Sequence, residues 1–433
     1  MIFKEIDEKE FTRFSKKHEQ ASFHQTKEWA KLKKKNNWDH YYVGLYDNKK
    51  IIAATLILSK KIKLINKNMF YAPRGFLIDY KNKLALKEFT NKLKEFSKKK
   101  NAIFIKIDPY VEYISHDNNG NVTDKINNKE IVSNLKELGY KHFGFNLMQE
   151  TLQPRWMHII NTKNKTLDEV MKDMESKTRQ IIRKNEKQAI TTREIKKSEL
   201  PLFKEIMEHT GERRDFIDRP LSYYEAMWDA LWPNILKILV AEIDFNKWED
   251  NTKEELNTIK KNLEDRIYKH DNNILKMNEK KYIQANKQDE DSINRLNKQI
   301  DKIKEYKNKY KKDIIPLGTI LFLIYGNEVL SLFGGTDDNL MQFQSAYTIH
   351  FEGIKLAVEK KLDRYNFYGI TGIFDENNPL YGLFQFKKSF GGEVVELIGE
   401  FDLIISKFFY YLYKITFKLY KFIKRIKTKI IHK

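Results

Sequence analysis

Between Asp244 and Asp313 the chain contains neither Pro nor Gly, and its charged residues are punctuated by Leu256, Ile259, Leu263 and Ile267, then by Ile293, Leu296, Ile300 and Ile303. Steps of three and four place each set on one side of a helix, the pattern of a coiled-coil seam. Two such runs in succession predict an antiparallel helical hairpin. Rising about 1.5 Å per residue, the helices would carry an arm roughly 40 Å out from the body.

Both flanks of the arm alternate short apolar runs with amphipathic stretches. YYVGLY, KIIAATLILS, NMFYAPRGFLID and NAIFIKIDPY read as strands and LALKEFTNKLKEFSKKK as a helix. A comparable set comes next: the strand MHIINT, a basic helix around LDEVMKDMESKTRQIIRKNEKQ, the helix LPLFKEIMEHTGERR and the strand ILKILVAEI. After the arm, PLGTILFLIYGNEVLSLFGG predicts a hairpin turning at Gly326 and Asn327, then the helix QSAYTIHFEGIKLAVEKKL and the strand YNFYGI. The fold class is α/β (α+β). One unit spans 1–150 and is completed by about 385–402; a second spans 151–243 with 314–384; the arm, 244–313, is inserted in the second. A chain of 433 residues suffices for two cores.

The tail, 403–433, has its own character. Ile404, Phe408, Leu412, Ile415, Leu419, Phe422 and Ile426 fall on one helical face, while Lys407, Lys414, Lys418, Lys421 and Arg425 fall on another. That composition suits a basic helix lying in an anionic bilayer surface. A terminal helix docked on the body is the alternative.

A formal net charge of +20 favours polyanionic partners, although a Lys-rich, Asn-rich composition accounts for part of it. Cys is absent, which removes disulfides, thiolate nucleophiles and Cys-ligated zinc and fits a cytoplasmic setting. The acidic start MIFKEIDEKEF does not read as a signal peptide, and no apolar run reaches spanning length. Phosphate-loop, dinucleotide, zinc-hydrolase and nucleophile-elbow motifs are missing. No metal or cofactor is expected.

The remaining motifs carry a specific resemblance. QTKEWAKLKK, YAPRGFLIDY, IKIDPYVEY, QPRW, SKTRQIIRK, TGERRDFIDRPLSYYEAMWDAL, YGITG and YGLFQFKKSFGGEVVELIGEFD run in order almost end to end. With the inserted arm, they resemble the Fem family of non-ribosomal peptidyl transferases (FemABX), most nearly the FemX type that adds the first cross-bridge residue. The resemblance implies two domains like twinned GNAT acetyltransferase folds. It also implies transfer of an amino acid, glycine before alanine or serine, from aminoacyl-tRNA to the stem-peptide amine of lipid II or its UDP-linked precursor, with related transferases extending the bridge. An aminoacyl ester is already activated, so positioning, proton transfer and oxyanion stabilisation suffice.

By the same resemblance, Lys33, with Trp29 on the same helix, and Arg219, with Tyr223, contact the diphosphate of the muramyl peptide. Lys31 is the neighbouring alternative to Lys33, and an ion pair with Asp215 or Asp218 the alternative for Arg219. Phe386 and Lys387 match the aromatic and basic pair beside the acyl-transfer site, with Lys388 the competitor if the segment is a strand. Asp108 is a general base, an orienter of the attacking amine, or a carboxylate capping the turn before Pro109. Arg179, Arg183 and Lys187 form a cationic stripe suited to tRNA or to solvent, and the arm suits tRNA or dimerisation. An acyltransferase with another donor and a charged, non-catalytic scaffold are the competing functional readings.

Overall fold

In a computed structural model of the protein, residues 1–148, 151–214 and 216–417 are described. The first sheet runs in the order Ile2–Glu5, Asp39–Asp47, Lys50–Ile62, Lys67–Ala72, Ala102–Ile107, Phe401–Ile404, Tyr140–His142. Its one parallel pair, Lys67–Ala72 with Ala102–Ile107, is joined through the helix Lys83–Lys99, as a crossover between parallel neighbours requires. The second sheet runs Ile190–Glu194, Leu236–Asp244, Ile314–Tyr325, Glu328–Thr336, Arg364–Ile370, Trp156–Asn161, Glu393–Leu397, Glu112–His116, Val122–Asn127. It repeats the plan: an antiparallel hairpin, then a parallel strand reached through the helix Ser345–Glu359.

The two sheets exchange strands. Glu112–His116 and Val122–Asn127, from the first third of the chain, pair in the second sheet. Near the other end of the chain, Glu393–Leu397 joins the second sheet and Phe401–Ile404 the first, so the segment 385–402 contributes to both.

The hairpin at Gly326 and Asn327 forms as its sequence indicates. Gly326 has φ +58°, and a Cβ there would lie 2.5 Å from that of Ala21, so only glycine fits between the units.

The arm consists of the helices Phe245–Asp271 and Glu279–Tyr310. Leu256, Leu296 and Ile300 are buried between them, with Ile259 and Ile293 alongside. At the base, Phe245, Trp248 and Ile303 enter the core of the second sheet, where Tyr306 and Tyr310 pack on them. Further out the seam changes character. Ile267 is exposed, and Arg266 instead bridges the helices to Asp289 at 2.7 Å and Asn286 at 2.9 Å.

A helix from Lys407 runs to the last described residue. Leu419, Phe422, Ile426, Lys418, Lys421 and Arg425 lie outside the described residues. No helix among the described residues is long and apolar enough to cross a membrane.

Candidate active site

The helix Lys27–Lys35 is capped by Thr26, whose hydroxyl accepts the Trp29 amide. Trp29 is buried, and Lys33, one turn on, lays its ammonium 4.3 Å from the centre of the indole. This helix packs against the helix Leu221–Leu231, Trp29 and Leu32 sharing a core with Tyr224 and Trp228. Arg219 stands just before that second helix, its guanidinium 5.6 Å from the Tyr223 ring. The two cations feel each other: burial, and then the Arg219 charge, push the Lys33 amine down to about 8. Neither forms an ion pair among the described residues. Asp218 is engaged by Lys204 at 2.8 Å and by the Tyr224 hydroxyl, while Lys31 is exposed and lies 3.9 Å from Glu8. Asp215 lies outside the described residues.

His24 continues the line inward. It is buried, and burial, then the charges of Arg74 and Lys33, hold it well below the usual histidine range. Arg74 sits in the turn after Lys67–Ala72 with φ 53°, donates to the Pro154 carbonyl at 2.8 Å and lies 5.4 Å from the Tyr110 ring. Its amide donates to Asp108 at 2.7 Å, and the Tyr71 hydroxyl donates to the other carboxylate oxygen at 2.9 Å. Asp108 thus caps a turn, but that of Arg74 rather than its own before Pro109. Burial raises its pKa to about 6 even though Arg74 and both hydrogen bonds oppose the shift.

Lys387 occupies different ground. The segment Tyr381–Lys388 is a helix, not a strand, so Lys387 turns inward while Lys388 stays half-buried. Parallel pairing between Glu328–Thr336 and Arg364–Ile370 stops at Leu330 and Asn366. Beyond that point the Lys387 ammonium donates to the carbonyls of Phe367 at 2.8 Å and Gly369 at 2.7 Å. Burial pushes this amine down to about 7. His158 and His350 flank it, both lowered to about 3 by burial and then by the Lys387 charge. Phe386 stacks edge-on against Tyr347 at 5.0 Å and lies beside His350.

Alternation along Arg364–Ile370 separates Lys387 from Asp108. Phe367 packs on Phe386 and His350, whereas Asn366 bonds Tyr110 and Tyr368 bonds Gln153. On the Tyr110 side, Tyr110, Glu112, Met157, Arg364 and Glu393 help line a cavity of about 200 Å³. Glu112 there is raised to about 7 by burial and then by Glu393. None of His24, Tyr71, Arg74, Tyr110, Gln153 and Tyr368 is among the site residues expected from the sequence, yet all but His24 lie inside the motifs YAPRGFLIDY, IKIDPYVEY, QPRW and YGITG.

The cationic stripe divides. Arg179 donates to the carbonyls of Met171, Lys172 and Met174, closing the end of the helix Leu167–Asp173. Lys187 pairs with Glu255 of the arm at 3.2 Å. Arg183 alone of the three is an exposed cation without such a partner among the described residues.

Residues 6–418 match the model of the FemAB family. Aminoacyltransferase FemA of Staphylococcus epidermidis is 32% identical over 429 residues, covering 97% of this chain and all of the relative. Aminoacyltransferase FemA of Staphylococcus aureus is 30% identical over 440 residues, covering 99% of this chain and all of the relative. The crystal structure of FemX is similar with a TM-score of 0.81 and 27% identity, over 95% of this chain and 99% of that one. The chain, with its two strand-exchanging sheets and inserted arm, belongs to the FemAB family.

Proposed function

We propose that the protein is an aminoacyltransferase that moves an amino acid, glycine before alanine or serine, from aminoacyl-tRNA to the stem-peptide amine of lipid II, starting the peptidoglycan bridge as FemX-type enzymes do. The observation that supports this most is that Lys33 and Arg219 stand on packed neighbouring segments, the helix Lys27–Lys35 and the start of Leu221–Leu231, without a carboxylate partner among the described residues. Two like charges held together are relieved by a dianion, and a planar guanidinium fork beside a compact ammonium suits a diphosphate.

In the reaction, the amine nitrogen attacks the ester carbonyl carbon, a C–N bond forms, and the bond to the ribose oxygen breaks. The amine gives up a proton and the ribose oxygen gains one. Asp108, ionised at neutral pH with a pKa of about 6, is the group on the acceptor side able to orient the ammonium or accept its proton. Lys387 spends two N–H groups on Phe367 and Gly369. Its third is free for an oxygen of the donor, the ester oxyanion or the departing ribose. The strand between them supports separate tasks for the two residues. Arg183 and the arm are the expected tRNA contacts, and a peripheral association with the inner face of the membrane brings the site to its acceptor.

Purified protein with a total charged tRNA pool and lipid II, followed by mass spectrometry, tests this reading. An acceptor gaining one residue only when charged tRNA is present supports it, and the added mass identifies the amino acid. No product, or a product made with acyl-CoA in place of tRNA, overturns it. Lipid II already carrying one bridge residue separates a starter from an extender.

A further inference from the structure

The helix that begins at Lys407 is attached to the body by one side and leaves an apolar stripe on the other. Tyr410 is fully buried and donates to Asp402 at 2.8 Å; Phe409 and Tyr413 pack with Ile62, Ile65, Met69, Ile103 and Phe104. Lys414 also turns inward, 3.4 Å from Asp402, and so leaves the basic face that its helical spacing predicts. Facing away are Phe408, Tyr411 and Ile415, which are 73%, 52% and 64% exposed. Their spacing of three and four residues aligns them in one row. The turn Lys63–Ile65, whose Ile65 lies under the helix, adds Leu64 at 78% exposure. Lys63, Lys141 and Lys407 are exposed nearby, the Lys141 ammonium 6.0 Å from the Tyr411 ring.

This surface lies on the same side of the first sheet as Lys33. Along Lys67–Ala72, Met69 and Tyr71 point to one face and Phe70 and Ala72 to the other. Met69 packs under the Lys407 helix, and Tyr71 shares the core of Trp29 and Leu32, on the helix that carries Lys33.

Apolar side chains ringed by lysines match an anionic bilayer, in which rings and aliphatic groups enter the acyl boundary while ammoniums stay among headgroups. We propose that the row Phe408, Tyr411 and Ile415, together with Leu64 and the lysines Lys63, Lys141 and Lys407, is the surface by which the protein lies on an anionic lipid bilayer. The inference rests on the reading that the acceptor is lipid-linked. It goes beyond that reading by fixing which side of the body meets the membrane: the side that bears the diphosphate-binding pair.

The test uses full-length protein and sedimentation with vesicles of phosphatidylcholine containing phosphatidylglycerol, against phosphatidylcholine alone. The wild type should bind the anionic vesicles, less so as salt rises. Phe408→Ser with Ile415→Ser, and separately Lys63→Glu with Lys407→Glu, should each weaken binding at least tenfold and slow transfer to lipid II in vesicles. Both should leave transfer to the soluble UDP-linked muramyl peptide and the melting temperature unchanged, because the altered side chains are exposed. A wild type that does not sediment, variants that sediment as the wild type does, or a serine variant that loses only a dimer in ultracentrifugation would overturn the proposal. Absence of transfer by the wild type to either acceptor would instead count against the proposed reaction and leave the vesicle result standing.

Discussion

Lys33, on the helix Lys27–Lys35, and Arg219, just before the helix Leu221–Leu231, are far apart in sequence, yet the charge of one lowers the proton affinity of the other. Such an arrangement costs the empty protein stability and gives it back on binding an anion. Arg219→Ala and Lys33→Ala should each weaken muramyl-peptide binding by about 1.5–3 kcal/mol, the range of a charge-assisted contact. Calorimetry that finds unchanged affinity in both variants would reassign the pair.

The same contact has a pH signature. Lys33 is charged in the free protein below about 8, so affinity for the diphosphate should hold steady up to that pH and decline above it. Titrating wild type and Lys33→Ala by calorimetry from pH 6.5 to pH 9.5, a range set by that pKa, checks it. A decline that persists unchanged in the variant would mean that another group titrates.

Lys387→Met should lower turnover while the KM for the muramyl acceptor stays near that of the wild type, as expected of a group acting in the transition state. Stability supplies a second readout. The amine titrates near 7 when folded and near 10.5 otherwise, so its burial penalty is full below pH 7 and fades as pH rises toward 10.5. That rise in melting temperature should disappear in the variant. The variant also orphans the carbonyls of Phe367 and Gly369, at a cost of about 1–3 kcal/mol each.

Asp108→Asn keeps groups able to meet Tyr71 and Arg74 but removes the charge. Turnover should fall about a hundredfold or more if the carboxylate handles the amine proton. In the wild type the rate should climb as pH rises through about 6. Stability should move oppositely, because a raised carboxyl pKa favours the neutral form and penalises the charged one above that pH. An unchanged pH–rate profile in Asp108→Asn would leave the residue as a cap for the Arg74 turn.

Shortening the arm tests its partner. Removing 257–295 and bridging with a Gly/Ser linker retains Trp248, Leu256 and Ile300, and with them the core at the arm's base. A body that folds but needs more aminoacyl-tRNA, with a flatter salt dependence, indicates lost phosphate contacts. An unchanged tRNA response with loss of a dimer indicates self-association.

Periodic features were legible in the sequence, while features set by distant partners were not. The arm and the Gly326 hairpin announced themselves because spacing and turn chemistry act locally. FQFKK alternates like a strand yet is helical, since Lys387 must reach carbonyls left where two parallel strands part. Arg179, expected to face tRNA or solvent, instead closes a neighbouring helix, while the described part of the tail docks through Phe409, Tyr410 and Tyr413 rather than through its Phe408 and Ile415 row. The Arg74 network joins the segments around Tyr71, Asp108 and Pro154, and nothing in any one of them declares the others.

Strand Phe401–Ile404 lies between Ala102–Ile107 and Tyr140–His142 in the first sheet, bonded to both. A nascent chain therefore holds an unfinished first sheet, with the edge of Ala102–Ile107 unpaired, until Phe401–Ile404 leaves the ribosome. The order of synthesis cannot be the order of folding. Truncated translation products should engage chaperones through that open edge, and a fragment ending before Phe401 should be rescued by a separately supplied C-terminal peptide.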